Sequence, residues 1–352
     1  MTRPPRPRVA VGSGSSRGYD LTGAPPSWGE RDAAHWATCV QRACRDAASW
    51  TTPHPKGLDR LRAAVAEVLE LDASRLTVTS GTRAAVRQLV DRASRLYLEH
   101  PTFADVATLA RVAGVPVSTA DTGELLSGEV RDREGVLWLS SPARNPDGRT
   151  LTEAEVARLD RACGSFRRVV VNETYRWSRP DAARPSAAVL VGSFSKVLGG
   201  GAKVGWRWDP ATSPRPGPPP EGGPPRPWQL ALALFIEEGG LRRVVRDGVG
   251  HASRLCRRFL DEFRARPGGV CGVPADHAGY HLLLTWPAGP ATGELVGRFA
   301  VAGLRVLPGA AFEAGPRSVR ISFNRLSTGD YPVVRERLWR VLESLETGEG
   351  QR

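Results

Sequence analysis

The chain has 352 residues, 41% of them hydrophobic, and a formal net charge of +12, which is enough length to bury a sizeable core and to form two domains. No stretch approaches the length needed to span a bilayer, and the basic start lacks the apolar core of a secretory signal, so the expectation is a cytoplasmic protein with no membrane partner. Cys39, Cys44, Cys163, Cys256 and Cys271 show no C-x-x-C spacing, so reduced thiols and no metal are expected, and the arginines form no dense block with interleaved aromatics, which argues against a nucleic-acid partner.

Residues 1–18, rich in Pro, Gly, Ser and Arg, read as a flexible arm. Tyr19 to Pro26 is loop-like, and Ser27 or Asp32 could cap an amphipathic helix running to about residue 48. A turn-rich connection precedes a second helix that carries Leu58, Leu61, Val65, Val68 and Leu69 at helical spacing. From Leu76 short strands alternate with helices: strands at 76–79, 95–98, 115–118, 136–139, 168–172 and 189–192, helices at 82–93 and 104–113, and a capping box at Thr152 to Glu155 opening a helix to Cys163. This alternation predicts an α/β fold with a mostly parallel sheet covered by helices on both faces. Residues 209–227 form a proline-glycine stretch that cannot join a central strand. One or two long helices at 228–263 follow. Strands at 280–286, 304–307 and 319–323 and helices at 292–302 and 331–345 then make a smaller α+β unit.

In open parallel sheets ligands sit outside the carboxyl ends of the strands, and polar residues gather there. Ser80-Gly81-Thr82 opens a helix, where backbone N–H groups and the helix dipole favour a phosphate. Phe103 offers an aromatic face, and Asn145, Asn172 and Tyr175 offer hydrogen bonds. The strand at 189–192 leads into Ser193-Phe194-Ser195-Lys196, read as an exposed polar turn, and then into a glycine loop ending at Lys203. Among 49 basic residues the lysines are Lys56, Lys196 and Lys203. A desolvated lysine can lose its proton and form a Schiff base, which arginine cannot. Lys196 is therefore a candidate to carry a carbonyl compound, against the alternative of a solvated loop lysine.

The ordered set Tyr19-Asp-Leu-Thr-Gly-Ala-Pro, Pro55-Lys-Gly-Leu-Asp-Arg-Leu-Arg62, Ser80-Gly-Thr, Asn145-Pro-Asp-Gly, Asn172-Glu-Thr-Tyr, Ser193-Phe-Ser-Lys, Pro308-Gly-Ala-Ala-Phe312 and Val319-Arg-Ile-Ser-Phe-Asn324 resembles the fold-type I pyridoxal-phosphate enzymes, and within them the class I/II aminotransferases. The region from Trp28 to Arg45 and the step from Lys196 to Lys203 look closest to the aminotransferase domains of MocR-type regulators, here without a DNA-binding domain ahead of Tyr19. The resemblance implies a homodimer with a large domain at 50–245 and a small domain at 19–49 and 246–352. It also implies an aminotransferase acting on amino and keto acids, and the compact form and altered pocket suit specialised biosynthesis as the setting. The alternatives are a decarboxylase, lyase, racemase or oxidase on the same fold, or a non-catalytic sensing protein.

Carried over by position, the resemblance makes Lys196 the catalytic Schiff-base lysine. Ser80, Gly81, Thr82, Ser193 and Lys203 would hold the phosphate, and Phe103 would stack on the pyridine ring. Asn145 and Tyr175 would bond the ring's phenolic oxygen, and Asn172 would face its nitrogen. Gly23, Asn145 and Arg320 would bind substrate, with Arg320 gripping the α-carboxylate; the plainer reading of Arg320 is a surface arginine on an edge strand. Three positions depart from the family pattern: Asn172 replaces an aspartate, Lys203 replaces an arginine, and Thr52 falls where a tyrosine often reaches across the dimer. His54 could touch substrate, although a hydrogen-bonded loop histidine is the simpler reading, and a structural role is expected for His281.

Overall fold

The computed structural model describes residues 18–23, 28–51, 54–210, 223–265 and 273–346. The arm up to residue 17, Ser27, Thr52, residues 211–222 of the proline-rich stretch and Cys271 lie outside the described residues. A seven-stranded sheet forms the centre. In spatial order its strands are Leu76–Thr79, Gly205–Trp208, Val189–Ser193, Phe166–Asn172, Asp132–Ser140, Leu96–Glu99 and Val117–Ala120. Gly205–Trp208 runs antiparallel to both neighbours and the other pairings are parallel, so the expected mostly parallel sheet is present.

The central strands Asp132–Ser140, Phe166–Asn172 and Val189–Ser193 carry apolar residues in succession because both sheet faces are covered there. Val136, Trp138, Val170 and Val191 point to one face, where they pack with Val86, Leu89, Val106 and Ala110 from the helices Thr82–Val90 and Asp105–Val112. Leu137, Leu139, Val171 and Leu190 point to the other, into the larger core. Thr152 caps Glu153–Ala162 through the expected reciprocal box with Glu155.

A second sheet orders Leu307–Pro308, Ser318–Ser322 and His281–Thr285, all antiparallel. The single strand expected at 304–307 is two: Leu304–Arg305 pairs with Tyr19–Asp20, which had read as loop, and Leu307–Pro308 pairs with Ser318–Ser322. Arg320 therefore sits on the middle strand of this sheet, not on an edge.

The first helix is Glu30–Arg45, shorter than expected, and continues as a 3₁₀ turn at Ala47–Trp50. Its N-cap is Gly29, and Asp32 lies inside the helix, where it pairs with Arg243 at 3.0 Å. The long helical stretch breaks at Gly239 into Arg226–Glu237 and a run from Gly240 to Arg264 that includes one π-helical turn. An aromatic cluster joins the first helix to Arg226–Glu237: Trp28 stacks on Phe235 at 5.6 Å, and Trp36 meets Trp228 edge-on at 5.0 Å. Such pairs add about 0.5–1.5 kcal/mol each beyond the area that they bury.

Candidate active site

The carboxyl ends of the parallel strands open onto one cavity of about 390 Å³. It is lined by Gly23, Ser80, Gly81 and Thr82, and by Phe103 and Asn145. Asn172, Tyr175, Ser193, Lys196 and Lys203 complete the expected set. Arg320 stands next to the lining: a Cβ on Gly23 would come within 2.8 Å of its Nη1.

Ser193 ends its strand buried, and Phe194 behind it is fully buried. The expected exposed turn is instead the short helix Ser195–Leu198, with Lys196 half-buried. The buried Phe194 pins the turn from below, so the polar residues face the cavity, not open solvent. Two indoles hold this segment from the far side: Trp28 donates to the Val197 carbonyl at 3.1 Å and Trp228 donates to the Ala202 carbonyl at 2.6 Å. Lys196 Nζ lies 5.5 Å from the centre of the Tyr175 ring. That ring packs on His281 at 4.7 Å and Tyr280 at 5.6 Å.

Ser80-Gly81-Thr82 joins the strand Leu76–Thr79 to the helix Thr82–Val90. Gly81 has φ +94°, which favours glycine at the sharp turn that aims the free N–H groups of the helix start into the cavity. Ser193 Oγ accepts from the Ser195 N–H at 3.1 Å, which leaves its own proton to donate. Lys203 is exposed at the rim. The cavity's lining carboxylate, Asp105, is held by Arg83, so Lys196 and Lys203 make the site attractive to an anion.

Arg320 is 4% exposed and makes no ion pair among the described residues. Its Nη1 donates to the Thr22 carbonyl at 3.2 Å, its Cζ lies 5.5 Å from the Phe312 ring centre, and its Nε is buried without a partner. A buried guanidinium without an anion is costly, so this one is suited to a carboxylate brought by a ligand. The surface-arginine reading is thereby corrected. Asn145 Oδ1 is likewise buried without a partner.

Among the lining residues that sequence reasoning did not select are Thr174, Tyr280 and Asn324. Thr174 had a usable signal, because a residue two positions after an asparagine commonly closes an Asx turn; Tyr280 had none. Beneath Asn145 lies a buried network in which Arg144 bridges Asp147 and Glu99, the latter at 3.6 Å. Burial pushes the Glu99 carboxyl up from 4.5 to about 7 in spite of Arg144. A raised carboxyl favours the folded state in full below its unfolded value and loses that advantage as pH rises through the folded one. Glu99→Gln is therefore expected to gain stability on the wild type, on the order of a few kcal/mol, as pH rises from 4.5 to about 7. Paired thermal melts across that range check it; parallel pH profiles would contradict it.

His281 is buried, donates from Nε2 to the Arg144 carbonyl at 3.0 Å, and is held well below the ordinary histidine range by burial and Arg320. His54 is exposed and accepts from the Lys56 N–H at 3.1 Å. Elsewhere His35, Cys39 and Glu238 bring ligand-type atoms within 4.8 Å. His35 Nδ1 accepts from Arg243, however, so Nε2 carries the hydrogen that Glu238 receives at 2.8 Å, and the cluster reads as an ion-pair network. Of the described cysteines, all free, Cys39 and Cys256 are buried, Cys163 is half-buried and Cys44 is exposed.

No family model matches the chain. It is 32% identical to a histidinol-phosphate aminotransferase of Ruegeria sp. (strain TM1040) across 43% of this chain and 46% of that one, so the match spans less than half of that relative's length. It is 28% identical to an aromatic amino acid aminotransferase of Corynebacterium glutamicum across 83% of this chain and 84% of that one. The solved structure of an alpha-aminoadipate aminotransferase from Thermus thermophilus, complexed with N-(5'-phosphopyridoxyl)-L-leucine, matches with a TM-score of 0.73 and 21% identity, covering 93% of this chain and 92% of that one. The chain is thus similar in sequence to two aminotransferases and shares the fold of a solved fold-type I aminotransferase along nearly its whole length.

Proposed function

We propose that this protein is a pyridoxal-phosphate-dependent aminotransferase acting on amino and keto acids. The observation that carries the reading is the gathering of Lys196, a helix N-terminus and a buried, anion-free Arg320 around one cavity. The residues fit the cofactor: the helix start and the lysines suit a phosphate, and the buried Asn145 Oδ1, which has no partner, suits a polar group brought by the ligand. When bound, pyridoxal phosphate supplies an aldehyde that condenses with amines and a conjugated ring that withdraws electrons.

Around it, the backbone N–H groups of Gly81 and Thr82, the hydroxyls of Ser80 and Ser193, and Lys203 would hold the phosphate. Phe103 would cover the ring, Asn145 and Tyr175 would bond its oxygen, and Asn172 would face its nitrogen. Arg320, with Gly23 beside it, would clamp the substrate α-carboxylate. Lys196 Nζ would take and return the proton at the substrate α-carbon, which combines nucleophilic and acid–base work in one group.

A homodimer, the division into a large domain at 50–245 and a small domain from the flanking segments, and a role in specialised biosynthesis belong to the same proposal. So does a cytoplasmic location, which is supported by the lack, among the described residues, of a helix long and apolar enough to cross a membrane. A second reading is decarboxylation, elimination, racemisation or oxidation of the same bound amino acid, and its support is Asn172, which brings no negative charge to the ring.

The test is to incubate the protein and cofactor with pooled amino acids and an acceptor keto acid. Stoichiometric exchange of amino and keto groups is expected. Carbon dioxide, hydrogen peroxide or ammonia as the main product, or bound cofactor without turnover, would overturn the aminotransferase assignment.

A further inference from the structure

The amide of Asn172 can face the cavity in only one of its two orientations. Its Oδ1 accepts from the Thr174 N–H at 3.1 Å and from the Thr174 hydroxyl at 2.6 Å. A backbone N–H has no acceptor form, so the partner that it meets must be the amide oxygen, and the flipped amide would set donor against donor. The Asn172 NH2 is left as the group that faces the cavity, and it can only donate.

The same chain of bonds fixes two further protons. Thr174 has one hydroxyl proton, and Asn172 receives it. Thr82 Oγ1, at 3.1 Å from Thr174 Oγ1, must then be the donor of that pair. The Thr82 hydroxyl proton is thus taken up by Thr174, and Thr82 can serve an anion only through its backbone N–H.

We propose that Thr174 is a positioning residue that locks the Asn172 amide with its NH2 toward the cavity, so that the site takes the cofactor with its ring nitrogen unprotonated, as a hydrogen-bond acceptor. This inference rests on the cofactor reading above and adds the protonation state of the bound ring. A protonated ring nitrogen would meet the Asn172 NH2 as donor against donor. An aspartate at the same position would accept both Thr174 bonds with one oxygen and present the other, negatively charged, to the cavity. It would select the protonated ring instead.

The experiment loads the wild type, Asn172→Asp and Thr174→Val with pyridoxal phosphate carrying ¹⁵N in the ring and reads the nitrogen resonance against pH. In parallel, calorimetry compares the affinity of each protein, stripped of cofactor, for pyridoxal phosphate and for its N1-methyl derivative, which can neither accept a hydrogen bond nor lose its charge. The wild type is expected to show an unprotonated nitrogen at neutral pH and to prefer the unmodified cofactor by about tenfold or more. Asn172→Asp is expected to show a protonated nitrogen and to lose or reverse that preference, which separates polarity from the bulk of the methyl group. Thr174→Val keeps the backbone N–H, so its nitrogen should stay unprotonated while affinity falls a few-fold. A protonated nitrogen in the wild type, or the same preference in wild type and Asn172→Asp, overturns this inference alone. Failure of the wild type to bind any cofactor overturns the cofactor reading and this inference with it.

Discussion

Replacing Lys196 with alanine is expected to lower amino-group transfer by at least about 10³-fold while leaving the fold intact. The side chain stands over the Tyr175 ring on the short helix after the strand Val189–Ser193, a segment packed through the buried Val191, Phe194 and Val197, not through the lysine. Its loss removes both an amine that can attack a carbonyl and a base that can move a proton, and general acid–base catalysis alone contributes about 10² to 10⁴. Lys196→Arg should be as inactive, because a guanidinium keeps its proton and cannot act as the nucleophile. Single-turnover kinetics with each variant and cofactor measure the effect. Retention of more than a tenth of the wild-type rate in either would move the chemistry to another residue.

The second large effect is expected at Arg320. Changing it to glutamine should raise the KM for the amino acid by about 10- to 100-fold, as expected for loss of hydrogen bonds to a charged group, while cofactor affinity changes little. The reasons are its burial, its lack of an ion pair among the described residues and its anchorage on Phe312 and the Thr22 carbonyl. Arg320→Lys should fall between the two, since it keeps charge and loses the planar fork. Steady-state kinetics against a carboxylate-free amine give the control. An equal loss for the amine and the amino acid would show that Arg320 supports the fold and does not grip a carboxylate.

Much of this site could be read in the chain before its structure, for a physical reason. A parallel sheet buried on both faces writes its strands as unbroken apolar runs, so the first polar residue after each run marks a carboxyl end. That rule located Asn172 and Ser193, Ser80 stood out as the start of the Ser-Gly-Thr turn that opens a helix, and Lys196 followed because lysine is rare in this sequence. Residues brought together from distant elements carried no such mark. Glu99, Arg144 and Asp147 meet only because the strand Leu96–Glu99 ends beside the loop that follows Asp132–Ser140. Tyr280 enters the cavity from the start of the small sheet, and nothing in its neighbours signals this.

The position of Arg320 was misjudged in its plainer reading because an edge strand and a middle strand of a three-stranded antiparallel sheet have the same local pattern. The pairing of its strand on both sides, with Leu307–Pro308 and with His281–Thr285, makes it the middle one. Thr174 was legible in principle through its spacing from Asn172, but its consequence depends on the direction of each proton, which needs the geometry.

The central claim, that Lys196 is the covalent anchor of pyridoxal phosphate, is tested most directly by reducing the cofactor-loaded protein with borohydride, digesting it and sequencing the labelled peptide by mass spectrometry. A single phosphopyridoxyl group on Lys196, with Lys203 and Lys56 unlabelled, is the expected result. A label on Lys203 or Lys56, or no label on a protein saturated with cofactor, would contradict it.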